Sequence, residues 1–223
     1  MKRNCKIEDI SDGNLYEAND LVTVSCNGCK GAAVCCHGMG NSIILDPLDI
    51  YRLRKHLKKK LEELLLQGVE LNVVDGIILP NLKMAGQFEG CSFLNKEGKC
   101  TIHSARPGIC RIFPLGRYYE NRNFKYFLQV NECDNISQTM MKVRKWVDTP
   151  DLNQYHKFLV EWHYFLNEVE ERIKQEKEDT FIRTINMYVL NQFYIKEYEE
   201  EIDFYSQFFE RLKIAKEHFE LSL

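Results

Sequence analysis

Between Cys26 and Cys36 the chain reads CNGCKGAAVCC, four cysteines in eleven residues. Cys91, Cys100, Cys110 and Cys133 follow, so the full series is Cys-x2-Cys-x5-Cys-Cys, then Cys-x8-Cys-x9-Cys, then a last cysteine after twenty-two more residues. A fold must put these sulfurs somewhere, as disulfides, redox dithiols, metal ligands or dispersed small hydrophobes. Each choice implies a different kind of domain. Nine cysteines in all, with Cys5 standing apart, is an odd count that would leave a disulfide framework one thiol over.

Compartment narrows the choice. The opening MKRNCKIEDISDGN has early basic residues but no apolar run behind them, and no stretch approaches the ~20 apolar residues that span a bilayer. A cytoplasmic protein without a membrane segment is expected, and there thiols stay reduced. The formal net charge of −3 gives no basic surface for phosphate backbones, so no nucleic-acid partner is expected. Cys-x2-Cys alone also fits a redox dithiol, but no βαβ pattern surrounds it. Eight clustered thiols in turn-rich sequence suit the soft occupants, zinc or an iron–sulfur cluster, rather than calcium or magnesium. The expected ligands are Cys26, Cys29, Cys35, Cys36, Cys91, Cys100, Cys110 and Cys133. Cys5, isolated, reads as a packed hydrophobe.

The adjacent pair adds a constraint. In an extended segment Cys35 and Cys36 point to opposite faces, which is awkward for one small tetrahedron. Eight thiolates fill two four-thiolate sites, so a binuclear arrangement is expected, with a single centre plus spare thiols as the alternative. Such a centre carries about −2 charge, and the run RPGICRIFPLGR puts Arg106, Arg111 and Arg117 around Cys110 as compensating donors. His37 and His103 flank the thiols and offer nitrogen in place of one sulfur. His156 and His163 have no carboxylate pattern around them that would suggest a di-metal bundle site.

The chain reads as two regions. All twelve glycines occur by Gly116 and the last proline is Pro150, whereas the segment from Asp151 to Leu223 lacks Gly, Pro and Cys and holds 15 of the 26 aromatics. An α+β organisation follows: a loop-rich cysteine and metal domain over 1–135, with short hairpins and one helix, then an aromatic-rich helical region over 136–223. The one helix is LDPLDIYRLRKHLKKKLEELLLQG, with Asp46 as N-cap, Asp49 closing a capping box and Gly68 as the stop. Its basic face from Arg52 to Lys60 reads as solvated. Hairpins are expected at Asp75-Gly76, at Glu97-Gly98 between runs that each carry a cysteine, and near Asn121–Asn123. In the C-terminal region, apolar stripes run Tyr155, Phe158, Leu159, Trp162, Phe165, Val169, Ile173, then Phe181 to Phe193, then Ile202, Tyr205, Phe209, Leu212. They read as core or as a face for a protein partner.

CNGCKGAAVCC followed by CSFLNKEGKCTIHSARPGICRIFPLG resembles the YkgJ-type cysteine-cluster family, the CxxCxxxCC zinc- or iron-chelating domain, over about residues 22 to 135. The resemblance places Cys26, Cys29, Cys35, Cys36, Cys91, Cys100, Cys110 and Cys133 on the family's cysteines. Members often have Pro-Gly after the last of these, where this chain has Asp134-Asn135. It implies metal binding, with both iron–sulfur and zinc proposed for the family. A flagellin lysine methylase carries a similar cysteine region.

Three functions are therefore weighed. The first is an iron–sulfur centre, [4Fe–4S] favoured, or a zinc centre, with a redox or electron-transfer role. The second is a metal-dependent group-transfer enzyme such as a protein (flagellin) lysine N-methylase, which would bind S-adenosylmethionine. The third is a zinc-stabilised interaction module. No Ser/His/Asp arrangement, P-loop or dinucleotide fingerprint is present.

Overall fold

In the computed structural model, residues 6–25, 34–130, 138–176 and 178–221 are described. The chain runs through α1 (Ile7–Ile10), β1 (Leu21–Ser25), a 3-10 turn (Val34–Cys36), α2 (Pro47–Leu57) and α3 (Leu61–Gln67). Then come β2 (Val69–Val74), β3 (Ile77–Leu82), β4 (Met84–Ala85), β5 (Gly90–Cys91), a 3-10 turn (His103–Ala105) and α4 (Gly108–Ile112). β6 (Leu115–Glu120), β7 (Asn123–Leu128), β8 (Gln138–Lys142) and α5 (Val143–Val147) lead into the long α6 (Leu152–Gln175), α7 (Asp179–Leu190), a π turn (Asn191–Ile195) and α8 (Phe204–His218). The fold is α+β, with strands in two-stranded antiparallel sheets β1–β8, β2–β3, β4–β5 and β6–β7. Among the described residues no helix is long and apolar enough to cross a membrane.

Two hairpins turn where their sequences demand it. Asp75 and Gly76 both have positive φ, as do Asn121 and Arg122, which is the backbone of the tight turn whose twist suits a two-residue hairpin. The Glu97-Gly98 segment does turn, with Gly98 at φ 70°, and Asn95 Oδ1 accepts the N–H groups of Glu97 and Lys99. Its flanks, however, meet only at a Leu94–Cys100 bridge, while Cys91 pairs backwards with Met84.

The expected single helix is two. The capping box is present, with Asp49 N–H donating to Asp46 Oδ1 at 2.8 Å and Asp46 N–H donating to Asp49 Oδ2 at 3.2 Å. At Lys58 the backbone enters the left-handed region and the helix stops, to restart at Leu61 and run to the Gly68 C-cap. The run Lys58-Lys59-Lys60 has no apolar side chain to hold a further turn down. The break lets Leu53 on one helix and Leu61 and Leu64 on the other all reach the interior.

The C-terminal helices form the densest part of the core. Phe158 meets Phe208 edge-on at 4.6 Å between ring centroids, and Trp162 lies against Phe193 at 5.0 Å. Along α8 the buried face is Phe204, Phe208, Leu212 and Ala215, one residue out of step with the expected stripe. Asp203 caps the helix, which leaves Ile202 outside it and exposed. One hydrophobic cluster runs continuously from β1 to Phe219. Polar links cross it too: Asn186 on α7 accepts from Ile78 N–H at 2.6 Å and donates to Gly76 C=O, and Tyr194 Oη donates to Leu45 C=O at 3.0 Å.

Candidate metal centre

Cys26, Cys29, Cys133 and Cys5 lie outside the described residues. The other five expected ligands arrive from four places. Cys35 and Cys36 sit in the first 3-10 turn, Cys91 ends β5, Cys100 follows the Asn95–Gly98 turn, and Cys110 is in the middle of α4. Despite sequence separations of up to seventy-five residues, they share one neighbourhood. Cys36 responds to the charge of Cys35, Cys110 and Cys91; Cys91 to that of Cys100 and Cys35; Cys110 to that of Cys91, Cys35 and Cys100. Cys91 is buried and the other four are half-buried.

The adjacent pair is not extended. In a 3-10 turn successive side chains are offset by about a third of a turn rather than opposed, and the thiols of Cys35 and Cys36 share a hydrogen bond. That bond comes first, ahead of burial, in holding the Cys36 proton on. Burial comes first in raising Cys91, Cys100 and Cys110. In Cys110 the Asp49 carboxylate adds to burial, ahead of the neighbouring thiols. As bare thiolates these groups would therefore be costly, and a cation among them removes that cost.

Two sulfurs already have donors. The Phe93 N–H points at Cys91 Sγ and the Ile102 N–H at Cys100 Sγ, each from two residues downstream, and both favour the thiolate. Arg106 acts on Cys100 in the same sense. Turns that aim amide N–H groups at sulfur are the outer-shell device by which a protein holds charged thiolate ligands. This donor set fits zinc or an iron–sulfur cluster, both of which take cysteine sulfur. Among the described residues, no three Cys, His, Asp or Glu side chains are gathered tightly enough to hold an ion by themselves. Three of the eight expected ligands fall outside those residues.

The scaffold under Cys110 is well defined. Asp49 Oδ1 accepts from Gly108 N–H at 2.8 Å, which ties the start of α4 to the start of α2. A Cβ on Gly108 would lie 2.3 Å from Tyr155 Oη, so α6 passes too close for any side chain there. Tyr155 in turn accepts from Arg117 Nη2 at 3.0 Å. From the other side, Trp146 Nε1 donates to Ile112 C=O at 2.9 Å. Asp49 and Tyr155 were not among the expected site residues. Asp49 reads in the sequence as an ordinary helix cap, and Tyr155 as one aromatic in a stripe.

The arginines divide in a way the sequence did not suggest. Arg106 faces Cys100. Arg117 lies inside a tyrosine shell, where Tyr155, Tyr119 and Tyr126 raise its pKa against the opposing effect of burial. Arg111 donates to Ser104 C=O at 3.0 Å and to Asp148 C=O at 3.4 Å.

Three of the four histidines have side-chain partners of their own. A guanidinium can only donate, so His103 Nε2, 3.1 Å from Arg106 Nη1, is the acceptor. His37 pairs with Gly90 through a backbone bridge next to Cys91. His156 Nε2 meets Tyr126 Oη at 2.8 Å, and His163 stacks on Tyr119 at 3.8 Å.

The family model CxxCxxCC, described as a "putative zinc- or iron-chelating domain", matches residues 25–139, just over half of the chain. No curated protein and no solved structure matches. With its clustered thiols on that matched segment, the chain belongs to the CxxCxxCC family of zinc- or iron-chelating domains.

Proposed function

We propose that the protein is an iron–sulfur protein of the [4Fe–4S] type with an electron-transfer role in the cytoplasm, its eight ligands Cys26, Cys29, Cys35, Cys36, Cys91, Cys100, Cys110 and Cys133 divided over two four-thiolate centres. The observation that carries this reading is that five thiols from four separate segments lie within electrostatic reach of one another, two of them with backbone N–H donors already in place. β1 and β8 support the inclusion of the other three. Ser25 pairs with Gln138, so the segments bearing Cys26 and Cys133 both depart from one end of the same strand pair. Val34, at the far end of the first segment, leads directly into Cys35.

A bound cluster of this type supplies one-electron reduction and oxidation. The chain's own part is to aim the Phe93 and Ile102 N–H groups at sulfur, to set the Arg106 charge beside Cys100, and to bury the thiols partway. Each of these tunes the potential at which such a centre accepts an electron. The helices α6 to α8 would present the face that meets a protein partner.

Anaerobic purification with iron, zinc and sulfide analysis and a visible spectrum tests the reading. The expected result is a broad band near ~400 nm with acid-labile sulfide. Cys91→Ser and Cys110→Ser should each bleach it. A colourless protein with stoichiometric zinc would replace the electron-transfer role with a zinc-stabilised fold.

A further inference from the structure

Three arginines beside the centre differ from those that pair with carboxylates, and share with Arg117, Arg144 and Arg211 a reliance on neutral acceptors. Arg54, Arg122 and Arg172 each pair with a glutamate. Among the described residues no ion pair includes Arg52, Arg106 or Arg111, although all three are half-buried.

Three elements bring them together. Arg52 on α2 donates through Nη2 to Thr149 Oγ1 at 3.0 Å. Arg111 on α4 reaches Asp148 C=O, the residue before Thr149, and Ser104 C=O in the second 3-10 turn. Arg106, at the end of that turn, donates to His103. Every one of these acceptors is neutral. Each guanidinium also keeps a buried nitrogen with no partner among the described residues: Arg52 Nη1, Arg106 Nε and Arg111 Nε.

The arrangement carries two costs. Three like charges repel in a partly desolvated site, and each buried unpartnered N–H forfeits a hydrogen bond it made in water. Arg52 and Arg111 extend to the 148–149 segment, which carries no thiol. Three carboxylates lie within electrostatic reach without forming an ion pair with these guanidinium groups among the described residues: Asp148 near Arg111, and Asp46 and Asp49 near Arg52. A compact anion with several oxygens would relieve both costs, because the guanidinium fork matches such oxygens two at a time.

We infer that Arg52, Arg106 and Arg111 form a binding site for a phosphate-class oxyanion bordering the cysteine centre, with Thr149 and His103 at its edge. The site does not depend on which metal the cysteines hold.

Calorimetric titration of the full-length, metal-loaded protein with inorganic phosphate, against chloride at equal ionic strength, tests this. Saturable binding near one per chain is expected. Arg52→Gln and Arg111→Gln should each weaken it about tenfold or more, as loss of a charge-assisted donor pair does. Arg111→Lys should recover only part, since lysine lacks the fork. Arg122→Gln should change nothing, and the metal-to-protein ratio should stay constant throughout. A parallel titration with a nucleoside monophosphate separates sources: equal affinity assigns the site to phosphate itself, and tighter binding assigns it to a phosphate carried on a larger molecule.

Three results would overturn the inference: no saturable phosphate binding, binding indifferent to both Gln variants (an adventitious ion only), or metal loss in step with each variant. The last would return the arginines to the service of the thiolates. Should Arg111→Gln fail to fold, Arg52→Gln stands alone, because Arg52 touches only Thr149 and the Tyr155 ring in this region.

Discussion

The cysteine-bearing region and the helices after Asp151 hold their shape by different means. Helices α6 to α8 bury a continuous aromatic layer, with Phe158, Phe165, Phe193 and Phe208 fully enclosed. Their surface charges are matched by neighbours such as Lys174–Glu170 and Lys213–Glu217 one turn away. The cysteine region has two-residue strands, a five-residue helix and half-buried thiols that are costly to ionise. Apolar burial is the chief support of the first, with polar links such as Asn186 to Ile78 added to it. The second has polar groups gathered at one place and few long elements to hold them there, which is the condition under which bound metal contributes folding energy.

Metal removal should break this contrast most strongly. Chelation under reducing conditions is expected to withdraw on the order of 10 kcal/mol of folding free energy from the cysteine region. Hydrogen exchange should then show residues 34–36, 90–113 and 115–128 losing protection while α6 to α8 keep theirs. Uniform protection of both regions after complete metal loss would end the view that the centre is structural.

Phe208→Ala probes the other side. Removing a ring enclosed by Phe158, Trp162 and Phe193 should cost about 3–5 kcal/mol by denaturant titration. Metal content per folded molecule should be unchanged. Loss of metal in proportion would mean that the two regions fold as one unit.

Gly108→Ala sharpens the comparison at the contact between the regions. The new Cβ collides with Tyr155 Oη, so a loss of about 1–3 kcal/mol is expected together with a disturbed spectrum at the Cys110 ligand. Adding Tyr155→Phe removes the colliding oxygen and should recover part of both. Strict additivity of the two substitutions in a double-mutant cycle would refute the contact.

The smallest effect concerns pH. His156 is half-buried against Tyr126, and desolvation, followed by the Arg117 charge, lowers its pKa from 6.5 to about 4. The unfolded chain therefore binds this proton first. The stability that comes from keeping His156 neutral is complete above pH 6.5 and is lost as pH falls from there towards 4. His156→Gln should flatten this acid limb in thermal melts across that window, and an unchanged limb would assign it to other groups.

Local chemistry made much of the fold legible. Asp75-Gly76 and Asn121-Arg122 announce tight turns because few residues accept positive φ, and Asp46 with Asp49 announces a helix start because the first turn needs acceptors. The interruption at Lys58 was hidden, since the leucine spacing on either side fits one helix as well as two. The thiols signalled a soft-metal site by number and spacing. The Asp49–Gly108 bond and the Tyr155 contact did not show, because nothing local distinguishes a helix cap or a core tyrosine that also supports a ligand.

What the sequence by itself determined is therefore chemical: a soft-donor set, turn positions, amphipathic faces and membership in a chelating family. These follow from side-chain identity and from interactions within a few residues. Tertiary structure alone decided that β1 pairs with β8 across more than a hundred residues, that Cys35, Cys91, Cys100 and Cys110 share one neighbourhood, and that Arg106 faces a thiol while Arg117 faces tyrosines. Such choices depend on which distant surfaces bury each other, a free energy shared across the whole core rather than carried by any one segment.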